Sequence, residues 1–161
     1  MNFKCYDVVE IQGKRYVVIE VISYQEFIIE KTVNYTLNDE MYNNELGTHK
    51  GAKNWTEYGL MLVDGEDKKW LTIVNGEKGY CTFSETILRS TPPKGYKLYD
   101  KGLQRVMSVK GESKARSGDK ADYKEYRTIK KDKTYVFFIE DWHGGLTDQA
   151  QGERIRLSDV H

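Results

Sequence analysis

One pattern of strand-forming residues occurs twice in this chain and constrains its fold most. It reads "NWTEYGLMLVDGEDKKWLTIVNGEKG" at 54–79 and "DYKEYRTIKKDKTYVFFIEDWHGG" at 122–145. Each copy has two strand-like runs separated by a turn that contains Asp and Lys, and each ends in a turn that contains glycine. Gly, Asn and Asp favour hairpin turns because they tolerate positive φ angles. The pattern therefore predicts a fold built largely of β-hairpins.

The two copies share three blocks in the same order. Residues 55–58 align with 123–126, residues 70–74 with 135–139, and residues 83–85 with 157–159. The offsets differ because the loop lengths differ. An ordered set of matches indicates an internal duplication, which is a signature of repeated structural units.

We therefore expect an all-β protein of about ten to twelve strands in two tandem related β units, packed together as small SH3-like barrels or sandwiches. The predicted units are 1–91, with a long polar loop at 34–54, and 96–161. Residues 92–95 contain a proline pair and a glycine and are predicted to be the linker. At most one short helix is expected, at 84–90, with Ser84 as its cap.

The first block of each copy places an aromatic residue and a glutamate on one face of a strand, because side chains alternate between faces. We interpret Glu57 and Glu125 as structural acceptors of hydrogen bonds from turns or edge backbone. A catalytic pair is the alternative. The predicted structural repeat positions are Trp55, Glu57, Tyr58, Tyr123, Glu125 and Tyr126.

Composition limits the classes of partner. The chain has 25 basic and 25 acidic residues, so its net charge is zero, although residues 94–133 carry 13 Lys and Arg against 6 Asp and Glu. A nucleic-acid-binding domain is usually basic as a whole, so we interpret this stretch as solvated strand faces and do not expect nucleic-acid binding. The chain also lacks an apolar run long enough to span a membrane.

Motifs for metals, nucleotides and secretion are missing from the sequence. Cys5 and Cys81 show no ligand spacing with each other or with histidine, and no phosphate-binding glycine motif occurs. The charged N-terminus does not resemble a signal peptide. We therefore expect a cytoplasmic protein with reduced thiols, no metal and no cofactor, in which Cys81 is a buried core residue.

The most site-like stretch is "EDWHGG" at 140–145, where two carboxylates, a tryptophan and a histidine lie beside a glycine turn. Aromatic residues on loops are frequent binding anchors. The predicted binding residues are Glu140, Asp141, Trp142, His143 and Tyr80.

Several short motifs resemble the bacterial domain-of-unknown-function family 4178. They lie at 55–60, 69–71 and 80, and then at 109–112, 126, 140–142, 152–153 and 157–160, so the resemblance covers nearly the whole chain. It implies a bacterial, non-secreted protein with no established activity. It also implies an envelope-stress or polyamine-linked context, since members are often encoded near such proteins. The chain departs from the family pattern at Tyr80, where a tryptophan is common, and in the loop at 34–54.

Two functions follow as expectations. The first is a non-catalytic binding or adaptor module for a protein partner or a small charged ligand, because repeated units multiply binding surface. The alternative is an enzyme, or an enzyme accessory, that uses paired carboxylates on a small cationic substrate. The candidate pairs are Glu57 with Glu125, and Glu140 with Asp141. Carboxylates that converge in a concave pocket would favour the second class.

Overall fold

The computed structural model describes residues 1–29, 47–48 and 53–161. Ten strands are found in this part of the chain, followed by one short 3-10 turn at Leu157–Asp159. The strands are β1 (Val8–Ile11), β2 (Lys14–Ile29), β3 (Gly47–Thr48), β4 (Asn54–Leu62), β5 (Lys68–Val74), β6 (Tyr80–Thr86), β7 (Lys97–Gly111), β8 (Lys120–Lys130), β9 (Lys133–Trp142) and β10 (Thr147–Arg156). The turns at 63–66, 75–76 and 143–145 lie where the two repeated segments predicted turns.

Eight of the strands form a closed antiparallel barrel. Their order is β2, β4, β5, β6, β10, β9, β8 and β7, and β7 pairs with β2 to close the ring. β1 extends the sheet beside the first residues of β2, and β3 pairs with the last residues of β2. The all-β class predicted from the sequence is confirmed.

Two tandem SH3-like units are not shown by the described residues. β2, β4, β5 and β6 come from the first predicted half, and β7 to β10 come from the second. Hydrogen bonds join the halves at two seams, β6 with β10 and β2 with β7. The prediction of a helix at 84–90 is wrong: residues 84–86 belong to β6 and residues 87–89 have no regular structure. Ser84 and Thr86 line the barrel interior and Glu85 does not, which is the two-residue period of a strand, and pairing with β10 satisfies the backbone groups of residues 84–86. Most of the loop predicted at 34–54 lies outside the described residues.

The hydrophobic core packs against one face of the barrel strands. In β4, Tyr58 and Leu60 point into this core, and Leu71 of β5 and Phe83 of β6 join them. β1 and the C-terminal residues cover the same core, and Ile11 forms a β-bridge with Val160. A core on this face leaves the alternate side chains of the same strands to line the barrel interior.

Cys81 is fully buried in the hydrophobic core, as expected from the sequence. Burial raises the pKa of its thiol to about 11. The negative charge of Asp159 adds to this effect.

A register shift in β2 directs one carboxylate into the barrel. The pairing of β2 with β4 is irregular between Val18 and Glu20, so Val18 packs in the core while Glu20 faces the interior. Glu20 lies opposite Gly59, and its side chain occupies the space above that glycine. Gly59 therefore makes room for a buried carboxylate.

We predict that Gly59→Ala destabilises the protein by about 1–3 kcal/mol, since the new methyl group overpacks a filled site. An ideal Cβ at Gly59 would overlap Cγ of Glu20 and would lie 2.8 Å from its Cδ. Gly145→Ala is the matched control, because its Cβ would meet no atom closer than 3.7 Å. Urea denaturation of both variants measures the difference. Equal stabilities would contradict this role of Gly59.

Candidate functional site

The barrel encloses a cavity of about 990 Å³. Every strand of the ring contributes side chains to it, for example Tyr24 from β2, Trp70 from β5 and Glu140 from β9. Residues 112–115, in the connection between β7 and β8, line it as well. Its volume lies at the upper end of the range for small-molecule sites, which are typically about 300–1,000 Å³.

Three carboxyl groups enter this cavity from different walls. Glu20 lies on β2, Glu57 on β4 and Glu140 on β9. In the ring, β4 and β9 are separated by three strands on either side, so Glu57 and Glu140 face each other from opposite walls. Alternation explains the placement of Glu57, because Trp55 and Glu57 are on the face of β4 opposite Tyr58.

Glu140 accepts a hydrogen bond from the amide of buried Gln104. Burial raises the pKa of Glu140 to about 7, although the Gln104 hydrogen bond lowers it and the charge of Asp148 raises it. Asp148 is exposed and lies opposite Glu140 in the register of β10 with β9. Glu140 therefore holds a proton much more readily than an ordinary glutamate.

Glu57 also retains its proton more readily than an ordinary glutamate. Its side chain is half-buried and lines the cavity. Burial raises the pKa of Glu57 well above its ordinary value, and the charges of Glu140 and Glu20 add to the effect. Lys68 and the hydroxyl of Tyr24 oppose it. No ion pair joins Glu57 or Glu140 to a basic side chain in the part of the chain that the structure describes.

Glu20, in contrast, has a cationic partner. Nζ of Lys68 lies 2.7 Å from Oε2 of Glu20, whose side chain is almost completely buried. The same Nζ lies 4.3 Å from the centre of the Trp70 ring, which is a cation–π distance. Lys68 thus places an ammonium group at the cavity wall, between a buried carboxylate and an aromatic face.

Aromatic rings form much of the remaining wall. All three tryptophans of the chain, Trp55, Trp70 and Trp142, line the cavity. Tyr24 stacks on Trp55 with ring centres 5.6 Å apart, and its ring lies 6.4 Å from that of Trp142. The rings of Tyr123 and Trp55 lie at a steep angle to each other, with their centres 5.8 Å apart. These rings present π surfaces beside the interior carboxyl groups.

A second charged cluster lies nearer the end of the barrel where β2 ends and β7 begins. The hydroxyl of Tyr123 donates its proton to Glu26 and lies 3.2 Å from Oδ2 of Asp100. Lys53 forms ion pairs with the same two carboxylates. Burial strongly raises the pKa of the Tyr123 hydroxyl. This cluster is internally paired, unlike Glu57 and Glu140.

A separate ion pair lies beside that cluster. Arg127 pairs with Glu125, the second glutamate of the sequence repeat. Burial raises the pKa of Glu125, while Arg127 lowers it. Glu57 and Glu125 therefore occupy comparable strand positions but differ in their partners, because only Glu125 has an arginine bonded to it.

The structure brings together only part of the predicted binding set. Glu140 and Trp142 line the cavity from one face of β9, and His143 lies at its rim, 3.2 Å from Oδ2 of Asp122. Asp141 is on the opposite face of β9, where it accepts a hydrogen bond from Thr147 at 2.6 Å. Tyr80 is exposed at the start of β6 and does not line the cavity.

The predicted structural repeat positions divide between the two faces of their strands. Trp55, Glu57, Tyr123 and Glu125 line the cavity, whereas Tyr58 is in the hydrophobic core and Tyr126 packs against Phe137. The aromatic residue and the glutamate of each copy therefore share the interior face, as their spacing predicted.

Sequence reasoning missed several interior residues: Glu20, Tyr24, Lys68, Trp70 and Gln104. One signal was available in "YVVIEVISY", where Glu20 is a lone carboxylate inside an apolar run. A charged residue inside such a run is rarely buried unless it is paired or functional. The partner, Lys68, could not be identified, because it lies 48 residues away.

Two searches of the described residues concern other functions. No group of three or more His, Cys, Asp and Glu residues there is arranged to hold a metal ion. Within the same residues, no helix has the length and apolarity needed to cross a membrane.

Comparison with known proteins gives a family. The model of the family described as "Domain of unknown function (DUF4178)" matches residues 5–157. Searches of curated proteins and of solved structures gave no match. Because the family match covers nearly the whole chain, the chain belongs to this family, and the resemblance read from its motifs is confirmed.

Proposed function

We propose that this member of the DUF4178 family binds a small organic cation inside its barrel, without transforming it. The observation that carries the proposal is the pair Glu57 and Glu140. These two carboxyl groups face each other across an aromatic-lined cavity, and neither has a basic side chain bonded to it within the described residues.

Energetics support a cationic ligand. A carboxylate in a poorly solvated interior is costly unless it is paired, and here the cost is expressed as proton retention by Glu57 and Glu140. A bound cation would supply the missing positive charge. Sites that are costly in the empty protein and relieved by a ligand are typical of function rather than of stability.

The aromatic walls support an organic cation in particular. Rings attract a positive charge over their faces, and they also cover apolar carbon atoms. Tyr24, Trp55 and Trp142 lie close together in this wall. An alkylammonium ion would place its nitrogen near the carboxyl groups and its hydrocarbon chain against the rings.

The test uses three probes of equal size: heptylamine, hexamethylenediamine and heptanol. Because every tryptophan of the chain lines the cavity, intrinsic fluorescence reports its occupation directly. At pH 8 we expect saturable changes with the amines and at least about tenfold weaker binding of the alcohol, a difference of about 1.4 kcal/mol. If neither amine binds saturably, or if the alcohol binds equally well, the proposal is overturned.

We predict that Trp142→Ala weakens amine binding about tenfold, which is the cost of losing one cation–π wall in a desolvated site. His143→Ala is the matched control, since His143 is at the exposed rim. Its affinity should stay within about twofold of wild type, a change too small to reflect a lost contact. Fluorescence titration of both variants provides the measurement. Equal losses of affinity in the two variants would indicate that the amine binds at the rim and not in the cavity, and would favour the adaptor function.

A second candidate, an enzyme acting on a small cationic substrate, has one observation in its favour. The pKa of Glu140 is raised to about 7, which suits a general acid or base near neutral pH. Glu57 would then be its partner across the cavity, instead of the sequence-adjacent Asp141. The test is to incubate the amine with wild type and with Glu140→Gln and to analyse it afterwards. An amine that is chemically altered by wild type but not by Glu140→Gln would show that the protein is an enzyme.

Three further expectations belong with this proposal. An internal duplication is supported by the matching positions of Glu57 and Glu125, each on the second barrel strand of its half. Cytoplasmic location is supported by the unpaired Cys5 and Cys81. The bacterial, polyamine-linked or envelope-stress context rests on the family resemblance.

A further inference from the structure

Lys68 is held in the cavity by three features of the fold. It is the first residue of β5, it bonds Glu20 at 2.7 Å, and it lies over Trp70 at 4.3 Å. Glu20 reaches this position because Gly59 has no side chain to block it. Lys68 is thus a built-in cation in a site that we propose for cations.

The interior charges do not balance. We define the interior charge group as Glu20, Glu57, Glu140 and Lys68, the groups whose charges act on Glu57. Three carboxyl groups face one ammonium group, so two negative charges remain when all are ionised. Asp148 is outside this group because it is exposed at the rim, where it accepts a hydrogen bond from Nε1 of Trp142 at 3.0 Å.

Three other basic residues of the wall are paired with carboxylates outside this group. Lys53 pairs with Asp100 and Glu26, as described above, and Arg127 pairs with Glu125. Arg154 forms an ion pair with Glu77 and donates to Thr82 at 2.8 Å. Each of these cations is directed to a carboxylate other than Glu57 and Glu140.

We propose that Lys68 determines how many positive charges the ligand carries: by neutralising Glu20, it leaves Glu57 and Glu140 for a ligand with two ammonium groups. This inference rests on the proposed function, since it concerns the same cavity. The two free carboxyl groups come from opposite walls, so a diammonium ion offers each of them an ammonium group of its own. A single ammonium group leaves one carboxylate without a partner.

The test compares heptylamine with hexamethylenediamine, which have the same number of heavy atoms and differ in one charge. The measured quantity is the ratio of their dissociation constants, monoamine over diamine, at pH 8. The potential inside the cavity sets this ratio, because only the second ammonium group differs. Removing a positive charge from the interior should raise the ratio, and removing a negative charge should lower it.

Lys68→Met alone leaves Glu20 buried without a partner and is prone to misfold. The decisive comparison is therefore Glu20→Gln against the double variant Glu20→Gln/Lys68→Met, which differ only at Lys68 and contain no bare Glu20. We expect the ratio to be about tenfold higher in the double variant than in Glu20→Gln, equivalent to about 1.4 kcal/mol. The double variant should also return to the wild-type ratio, because the charges of Glu20 and Lys68 cancel in wild type and both are absent from the double variant.

The outcomes separate the two proposals. Equal ratios in Glu20→Gln and the double variant, with both amines still bound, would overturn the role of Lys68 and leave cation binding intact. A wild type that binds neither amine would overturn the proposed function itself. A tenfold change in the opposite direction would also overturn the inference, since it would mean that Lys68 repels the monoamine more than the diamine.

Discussion

At pH 8, Glu140→Gln is expected to be more stable than wild type by about 1–3 kcal/mol, because one pKa unit corresponds to about 1.4 kcal/mol. The pKa of Glu140 in the folded protein is about 7, against an ordinary value of 4.5. Its ionisation at pH 8 therefore costs folding free energy, and glutamine avoids that cost. The lower value of about 1 kcal/mol applies if water in the cavity solvates the ionised carboxylate and so reduces the cost of its ionisation.

The contribution of Glu140 to stability changes with pH in the direction opposite to that of a glutamate whose pKa is lowered on folding. A carboxyl group whose pKa is raised on folding contributes stability that is fully present below the unfolded pKa of about 4.5 and is lost as pH rises through about 7. The gain of Glu140→Gln should therefore be large at pH 8 and nearly absent at pH 4.5. Urea denaturation at both pH values measures it.

Glu85→Gln is the control for this prediction. Glu85 lies on β6 and pairs with Lys69 at 2.7 Å in a partly exposed ion pair, so its removal should change stability by no more than about 1 kcal/mol, without a gain at pH 8. A Glu140→Gln variant that is less stable than wild type at pH 8 would identify Glu140 as a structural acceptor for Gln104.

The affinity for organic cations should fall by at least about tenfold between pH 8 and pH 5.5, since Glu140 must lose its proton to pair with the ligand. The pKa of about 7 places this change in the physiological range. Glu57, whose pKa is also raised, adds to it. Binding near pH 7 should release protons, which calorimetry in buffers of different ionisation enthalpy counts directly.

Glu140→Gln provides the control for that experiment. Its affinity for hexamethylenediamine should be lower at pH 8, and the proton release near pH 7 should be reduced, because one of the two titrating carboxyl groups is missing. Binding by wild type that is independent of pH between 5.5 and 8 would contradict the pairing of ligand with Glu57 and Glu140.

The sequence predicted which side chains share a face of a strand, but it did not predict that the strands close into a barrel. Alternation in β4 correctly placed Trp55 and Glu57 on one face and Tyr58 on the other, since side-chain period is a local property. It could not show which face is packed and which lines a cavity. That depends on the seams between β2 and β7 and between β6 and β10, which join residues far apart in the chain.

The candidate site was predictable only where its residues lie in one segment. Glu140 and Trp142 were found together because they are two residues apart on β9. Glu57 was read first as a structural acceptor, since its partner across the barrel comes from another half of the sequence. Glu20 depends on the irregular pairing near Val18, which no pattern in the sequence indicates.

The blocks of the predicted duplication do not all lie on corresponding strands. Its first two blocks occupy equivalent strands, β4 with β8 and β5 with β9. Its third block does not, because Phe83 lies within β6 whereas Leu157 begins the 3-10 turn after β10. Short matches near strand ends thus carry less structural information than matches within alternating strands.

Calorimetric titration of hexamethylenediamine into wild type and Glu57→Gln/Glu140→Gln at pH 8 tests the central claim most directly. The double variant keeps the size and shape of both side chains and removes only their charge. We expect saturable binding to wild type and a loss of at least about a hundredfold in the variant, or about 2.7 kcal/mol. Equal affinity in the two proteins, or no binding to wild type, would contradict a cation site between Glu57 and Glu140.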